Sequence, residues 1–247
     1  MATVLTEKQG SVFEINLNRP DKKNALTLAM YVEMTALLKQ AAEDPNVHVV
    51  LFRAQGQSFC AGNDISDFVS AAHNPNILQD VLVFLHTLAS FPKPIIAAVH
   101  GDAVGIGTTM LLHCDLVVSA DNLRCKMPFV QLGLIPEGAS TLLFPQLVGH
   151  RHAFELLVEG RSFDAIKAEQ LGIVNQITEP DLLLETARNR AKKLADSPVD
   201  SVIAAKQLMK AETLKSVHQV IDSEGALFYQ RLLSEEAQKA FMAFLQK

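Results

Sequence analysis

The sequence predicts an α/β core followed by an α-helical appendage. Three observations carry this. Two apolar runs, Val47–Arg53 and Ile95–Val99, have the length and composition of buried strands. Helical patterns alternate with them through the first two thirds of the chain, and beyond Ser197-Pro198 only helical signals remain. With 247 residues, 49% hydrophobic and 20% charged, the chain can bury a sizeable core.

Taken in order, Thr3–Gln9, the turn at Gly10-Ser11 and Val12–Asn18 read as a hairpin. In its second arm Phe13, Ile15 and Leu17 share one face, and Glu14, Asn16 and Asn18 the other. Residues 19–24 form a turn with a small basic cluster. Thr27 can cap a helix that runs to Glu43 with Leu28, Val32, Thr35 and Leu38 on one side, stopped by Asp44-Pro45. The strand Val47–Arg53 opens into the loop 55–64. A helix over Ile77–Ala89 carries Ile77, Val81, Leu85 and Leu88 at helical spacing. After Ile95–Val99 the chain breaks at Gly101, Gly105 and Gly107 and resumes as a helix over Thr108–Leu112. A short strand over Leu116–Ser119 and a loop over 127–138 follow. Asp164 can cap a helix ending near Gly172, Ile173–Ile177 reads as a strand, and Glu179-Pro180 starts a further helix. In the tail Leu227, Phe228, Leu232, Phe241, Phe244 and Leu245 are the apolar anchors.

A net charge of −5 argues against a nucleic-acid or polybasic membrane surface, so neither partner is expected. Three cysteines without a CxxC suit a reducing compartment. The N-terminal residues carry no signal-peptide pattern, and no apolar run reaches membrane-spanning length, which predicts a soluble, cytoplasmic protein. The glycines at 101, 105 and 107 do not make GxGxxG. No GxxxxGK[ST], GxSxG or HExxH occurs, and no Cys/His spacing suits a metal.

Two features remain. Glycine-marked turns follow buried strands at Ala61-Gly62-Asn63-Asp64 and at Gly105-Ile106-Gly107. Each alone serves equally as a tight turn; together they can aim two backbone N–H donors at one oxygen. Glu137 lies in an apolar, Gly/Pro-shaped loop. Such surroundings raise a carboxyl pKa and suit a proton shuttle.

The ordered set NRPDKKNAL (18–26), SFCAGNDI (58–65), AAVHGDAVGIG (97–107), CDLVVSAD (114–121), LGLIPEGASTLLFPQLVG (132–149) and GRSFDAIKAEQLGIVNQI (160–177) resembles the enoyl-CoA hydratase/isomerase (crotonase) superfamily. The resemblance implies a spiral of ββα units over 1–196 and a C-terminal helical region, 197–247, that builds trimers or hexamers. It implies an acyl-CoA thioester substrate with coenzyme A as part of the substrate, no separate cofactor and no metal. By motif position the thioester oxygen is held by the backbone amides of Asn63 and Ile106. Glycine is usual at the latter position, but isoleucine keeps the working N–H. Lys22, Lys23, Asn24 and Ala25, with Ala61, Gly62, Asn63, Asp64 and Ile65, border the CoA arm.

Hydratases of the superfamily carry two glutamates. This chain has Thr109 and, after Pro128, Phe129 at those places. The single Glu137 in PEGAST looks most like the peroxisomal-type Δ3,Δ2-enoyl-CoA isomerases and their bacterial relatives, in fatty-acid β-oxidation or related metabolism. The alternatives are an enoyl-CoA hydratase or other crotonase-type enzyme, or a non-catalytic acyl-CoA-binding subunit.

Overall fold

The computed structural model describes residues 2–67 and 78–245, so Ile77 lies outside the described residues, as do the side chains of Phe244 and Leu245. Strand β1 (Val4–Gln9) pairs antiparallel with β2 (Val12–Leu17). Strands β3 (Val49–Ala54), β4 (Ile95–Val99), β6 (Leu116–Ala120) and β9 (Gln176–Thr178) then extend the sheet in parallel, in the order β1-β2-β3-β4-β6-β9. Between β4 and β6 the chain leaves this sheet to form β5 (Asp102–Val104), which joins β7 (Arg124–Lys126) and β8 (Phe163–Asp164) in a second, three-stranded sheet. These strands of two or three residues are too short to show a periodicity, and the sequence reading does not contain them.

Both faces of the main sheet are covered. One packs into the main core with α1 (Leu28–Glu43) and α2 (Gln79–Ala89). On the other, Val12, Val49, Leu51, Ile96, Ala98 and Val118 meet Leu183, Ala187, Ala191 and Ala195 of helix 183–195. The expected alternation in β2 is therefore overturned. Glu14 is 0% exposed, and its carboxylate takes Nε–H bonds from Arg53 and Arg188, each at 2.6 Å. A carboxylate is tolerated there because two guanidiniums replace its water.

Helix α1 begins as expected, with the Thr27 side chain accepting from the Met30 N–H at 3.3 Å. Its buried stripe is rotated from the expected one. Met30, Tyr31, Met34, Thr35 and Leu38 face inward while Val32 is 49% exposed, because the larger side chains take the core. The helix expected at Thr108 begins two residues earlier as α3 (Ile106–Thr109) and tightens to a 3-10 turn at Met110–His113.

Helix α4 (Ser140–Val148) has no sequence signal, since it starts from a left-handed Ala139 and contains Pro145. Then follow α5 (His150–Leu157) and α6 (Ala165–Gln170), the latter capped by Asp164 as expected. Helix 183–195 is α7, and the tail forms α8 (Val199–Lys210), α9 (Leu214–Leu232) and α10 (Glu235–Leu245). Phe228, Leu232 and Phe241 are buried anchors, but Leu227 is exposed. Among the described residues no helix is long and apolar enough to cross a membrane.

Candidate active site

The two glycine-marked turns are brought together by backbone pairing. Cys60 bridges Ala103 in parallel: the Cys60 N–H donates to the Asp102 carbonyl at 3.0 Å, and the Val104 N–H to the Cys60 carbonyl at 2.8 Å. The two turns stay close beyond it, since a Cβ on Gly62 would lie 3.2 Å from the Val104 carbonyl oxygen. Gly105, at φ 54°, makes the turn into α3. Gly107 permits the close approach, since a Cβ there would lie 2.5 Å from the Cys60 carbonyl oxygen. Among the described residues, neither the Asn63 nor the Ile106 backbone N–H donates to a protein acceptor. The Ile106 side chain is packed in the main core, so the residue presents only backbone.

Glu137 stands on the wall of a narrow cleft between α2 and α9, shared with Asn63, Leu82, Leu85, Ile221 and Phe228. It is 6% exposed. Its Oε1 accepts from the Thr109 hydroxyl at 2.6 Å, and its buried Oε2 has no hydrogen-bond partner among the described residues. Burial pushes its pKa up to about 8; the Thr109 bond opposes that shift and the nearby Glu224 carboxylate adds to it. A carboxyl with one oxygen anchored and the other free, tuned to the neutral range, can take up and return a proton. Replacing Thr109 by valine removes the bond that favours the ionised form. Thr109→Val is therefore expected to move the pH midpoint of kcat/KM to higher pH, and an unmoved midpoint would contradict the tuning.

The loop bearing Glu137 is clamped from behind. Glu224 of α9 accepts from the Ala139 N–H at 2.6 Å, the Thr141 N–H at 3.0 Å and the Thr141 hydroxyl at 2.5 Å. His113, whose pKa burial pushes down to about 4, stays neutral, and its Nε2 bonds the Gly138 carbonyl at 2.8 Å. Sequence reasoning missed Glu224 although a signal existed. It is the one carboxylate in the stripe Val217, Ile221, Glu224, Phe228, Leu232 of an otherwise apolar face. Thr109 appears in the sequence only as a missing glutamate, whereas its hydroxyl is a partner of Glu137. Cys60 is buried and pushed up to about 12, so no thiolate nucleophile arises beside the site.

The segments expected along the CoA arm are adjacent. The Ala61 N–H donates to the Lys23 carbonyl at 2.9 Å, and Leu26 bridges Asn63. Arg19, not singled out in the sequence, joins them: one guanidinium nitrogen reaches the Ala25 carbonyl at 2.8 Å and the Asp64 carboxylate at 2.7 Å. Asn24 is a brace rather than a free contact; its side chain bonds Arg19 N–H and the Gln55 and Ser58 carbonyls. Lys22 is exposed, and Lys23 pairs with Asp102 at 3.0 Å. Asp64 accepts from the Ser66 N–H at 3.0 Å. Ile65 packs partly buried against the main core.

Comparison with known proteins shows the family. The model of the Enoyl-CoA hydratase/isomerase family matches residues 7–247. Enoyl-CoA delta isomerase 2 of Rattus norvegicus is 34% identical over 251 residues, which cover 98% of this chain but only 63% of that protein. A probable enoyl-CoA hydratase of Rhizobium meliloti (strain 1021) is 31% identical, covering 99% of this chain and 95% of the other. Among solved structures, Pseudomonas aeruginosa OdaA superposes with a TM-score of 0.96 at 42% identity, over the full length of both chains. A two-sheet α/β fold of this topology thus meets a family match over nearly the whole chain: the protein belongs to the enoyl-CoA hydratase/isomerase family, with the crotonase fold.

Proposed function

We propose that this protein isomerises 3-enoyl-CoA to trans-2-enoyl-CoA. The observation that carries the reading is the carboxylate in the cleft: among its described lining residues Glu137 alone is acidic, it is buried with one oxygen free, and the neighbouring position holds the Thr109 hydroxyl bonded to it. Moving the double bond requires a proton removed from C2 and one delivered to C4. A single carboxylate does both if the dienolate is stabilised in between. The Asn63 and Ile106 amides supply that stabilisation at the thioester oxygen, each worth roughly 3 kcal/mol of barrier. Burial helps further, because a base of raised pKa is better matched to a weakly acidic C–H.

Adding water to a 2-enoyl-CoA requires a second group to place the nucleophile. Phe129, buried and apolar, cannot do this, and Thr109 is committed to Glu137. The rat relative named as an enoyl-CoA delta isomerase supports the same choice. In this reading Lys22 and Lys23 lie towards the CoA phosphates and segment 61–65 borders the cofactor arm. The exposed pair Leu208 and Met209, each 77% exposed on α8, belongs to a trimer or hexamer contact.

The deciding experiment offers purified protein cis- and trans-3-enoyl-CoA and, separately, 2-enoyl-CoA. Isomerisation is expected to exceed hydration by at least about 10²-fold, the low end of what a positioned acid–base group contributes. Hydration at a matching rate would make the protein a hydratase. Binding with no turnover of either would make it a non-catalytic subunit.

A further inference from the structure

Tyr31 is a buried hydroxyl to which the reaction above gives no task. Its ring is fully buried on α1 and stands edge-on to Phe84 of α2, with centroids 5.3 Å apart. Phenylalanine would fill that space as well, without the cost of desolvating an O–H. The hydroxyl is satisfied by one contact: it donates to Asn63 Oδ1 at 2.5 Å. Burial first, then the nearby Glu137 carboxylate, hold the phenol well above its ordinary pKa, so it stays protonated. A protonated phenol can donate as well as accept, and here it donates to the oxygen end of the Asn63 carboxamide. The oxygen is turned to Tyr31, and the Nδ2 donors meet no protein acceptor among the described residues.

Asn63 is where this matters, because it lines the cleft with Glu137 and carries one of the two free backbone N–H groups. Asparagine oxygens readily bond nearby backbone N–H groups. An unrestrained Asn63 side chain could therefore swing onto the amides meant for the substrate. The backbone on either side is already pinned: the Leu26 N–H donates to the Gly62 carbonyl and the Asp64 N–H to the Leu26 carbonyl, each at 2.8 Å.

We propose that Tyr31 is a positioning residue whose hydroxyl holds the Asn63 carboxamide oxygen away from the backbone amides and so keeps them open to the thioester oxygen. The inference rests on the assignment of those amides as the oxyanion site, but not on which proton transfer follows. The test compares wild type, Tyr31→Phe, Asn63→Ala and the double variant by two readouts. One is kcat and KM for 3-enoyl-CoA. The other is the absorbance of bound cinnamoyl-CoA, whose conjugated thioester absorbs at longer wavelength as its carbonyl is polarised.

Tyr31→Phe is expected to bind the probe within about twofold of wild type, to lose most of the red shift, and to lower kcat about tenfold with KM little changed. In the double variant the loss from Tyr31→Phe should not add to that from Asn63→Ala, because without the carboxamide Tyr31 has nothing to hold. An undiminished red shift in Tyr31→Phe, or fully additive losses, would overturn the proposal, as would a wild type that binds the probe without shifting it. A wild type that shifts the probe but fails to isomerise 3-enoyl-CoA would sink the isomerase reading alone, and the red shifts of the variants would still decide the role of Tyr31.

Discussion

Glu137→Gln is expected to lower conversion of 3-enoyl-CoA to 2-enoyl-CoA by about 10³-fold or more while leaving acyl-CoA affinity within a few-fold. Glutamine keeps the shape and can still accept from the Thr109 hydroxyl, but it cannot take a proton from C2. The same substitution is expected to stabilise the fold. In the unfolded chain this carboxyl ionises near its ordinary 4.5, and in the fold burial holds it protonated up to about 8. Between those values the folded state binds more protons than the unfolded state, so stability falls as pH rises through the window. At pH 7 the penalty is roughly 3 kcal/mol by the conversion of pKa differences, or about 5–10 °C in Tm for a chain of this size. Calorimetry of both proteins from pH 4 to pH 9 should show the variant melting higher near neutrality and the difference closing towards pH 4. A variant that retains isomerase activity removes Glu137 from its role; one that gains nothing in Tm at neutral pH removes the account of its burial.

What could be read beforehand divides along a physical line. The turns that hold Glu137, Asn63 and Ile106 were legible because glycine and proline mark sharp turns locally, and a charge inside such a loop stands out in the chain itself; the choice of the Asn63 and Ile106 amides came from the resemblance. The parallel strands were legible because β3 and β4 are apolar on both faces. Glu14 was misassigned because alternation assumes one wet face, and the helix covering that face arrives more than 160 residues later, bringing Arg188 with it at a separation of 174. Tyr31 and Glu224 escaped for the same reason. Each looks like one more position on an amphipathic helix until α1 meets Asn63 and α9 meets the turn after Glu137. The contacts that tune and hold the site are long-range, whereas the groups that would act on substrate sit on turns.

Glu224→Ala is the second large effect, and it should appear in both stability and rate. The side chain is buried and accepts three hydrogen bonds at the start of α4, two of them from backbone N–H groups that no residue of the helix can satisfy. Alanine strands both amides, at roughly 1–3 kcal/mol for each buried unsatisfied group, so a loss of about 3 kcal/mol or more is expected in chemical denaturation. It also releases Ala139, a non-glycine residue held at φ 56° two positions beyond Glu137. A shift of the carboxylate by about 1 Å is enough to cost on the order of 10² in kcat. Glu224→Gln separates support from electrostatics. It keeps one acceptor oxygen, turns an amide N–H₂ toward a donor, and removes the negative charge that helps to raise the Glu137 pKa. Its expected stability is intermediate, and its kcat/KM midpoint should move to lower pH, opposite in direction to Thr109→Val. Should both variants shift the midpoint the same way, the two carboxylates are not coupled through charge, and Glu224 is a structural clamp alone.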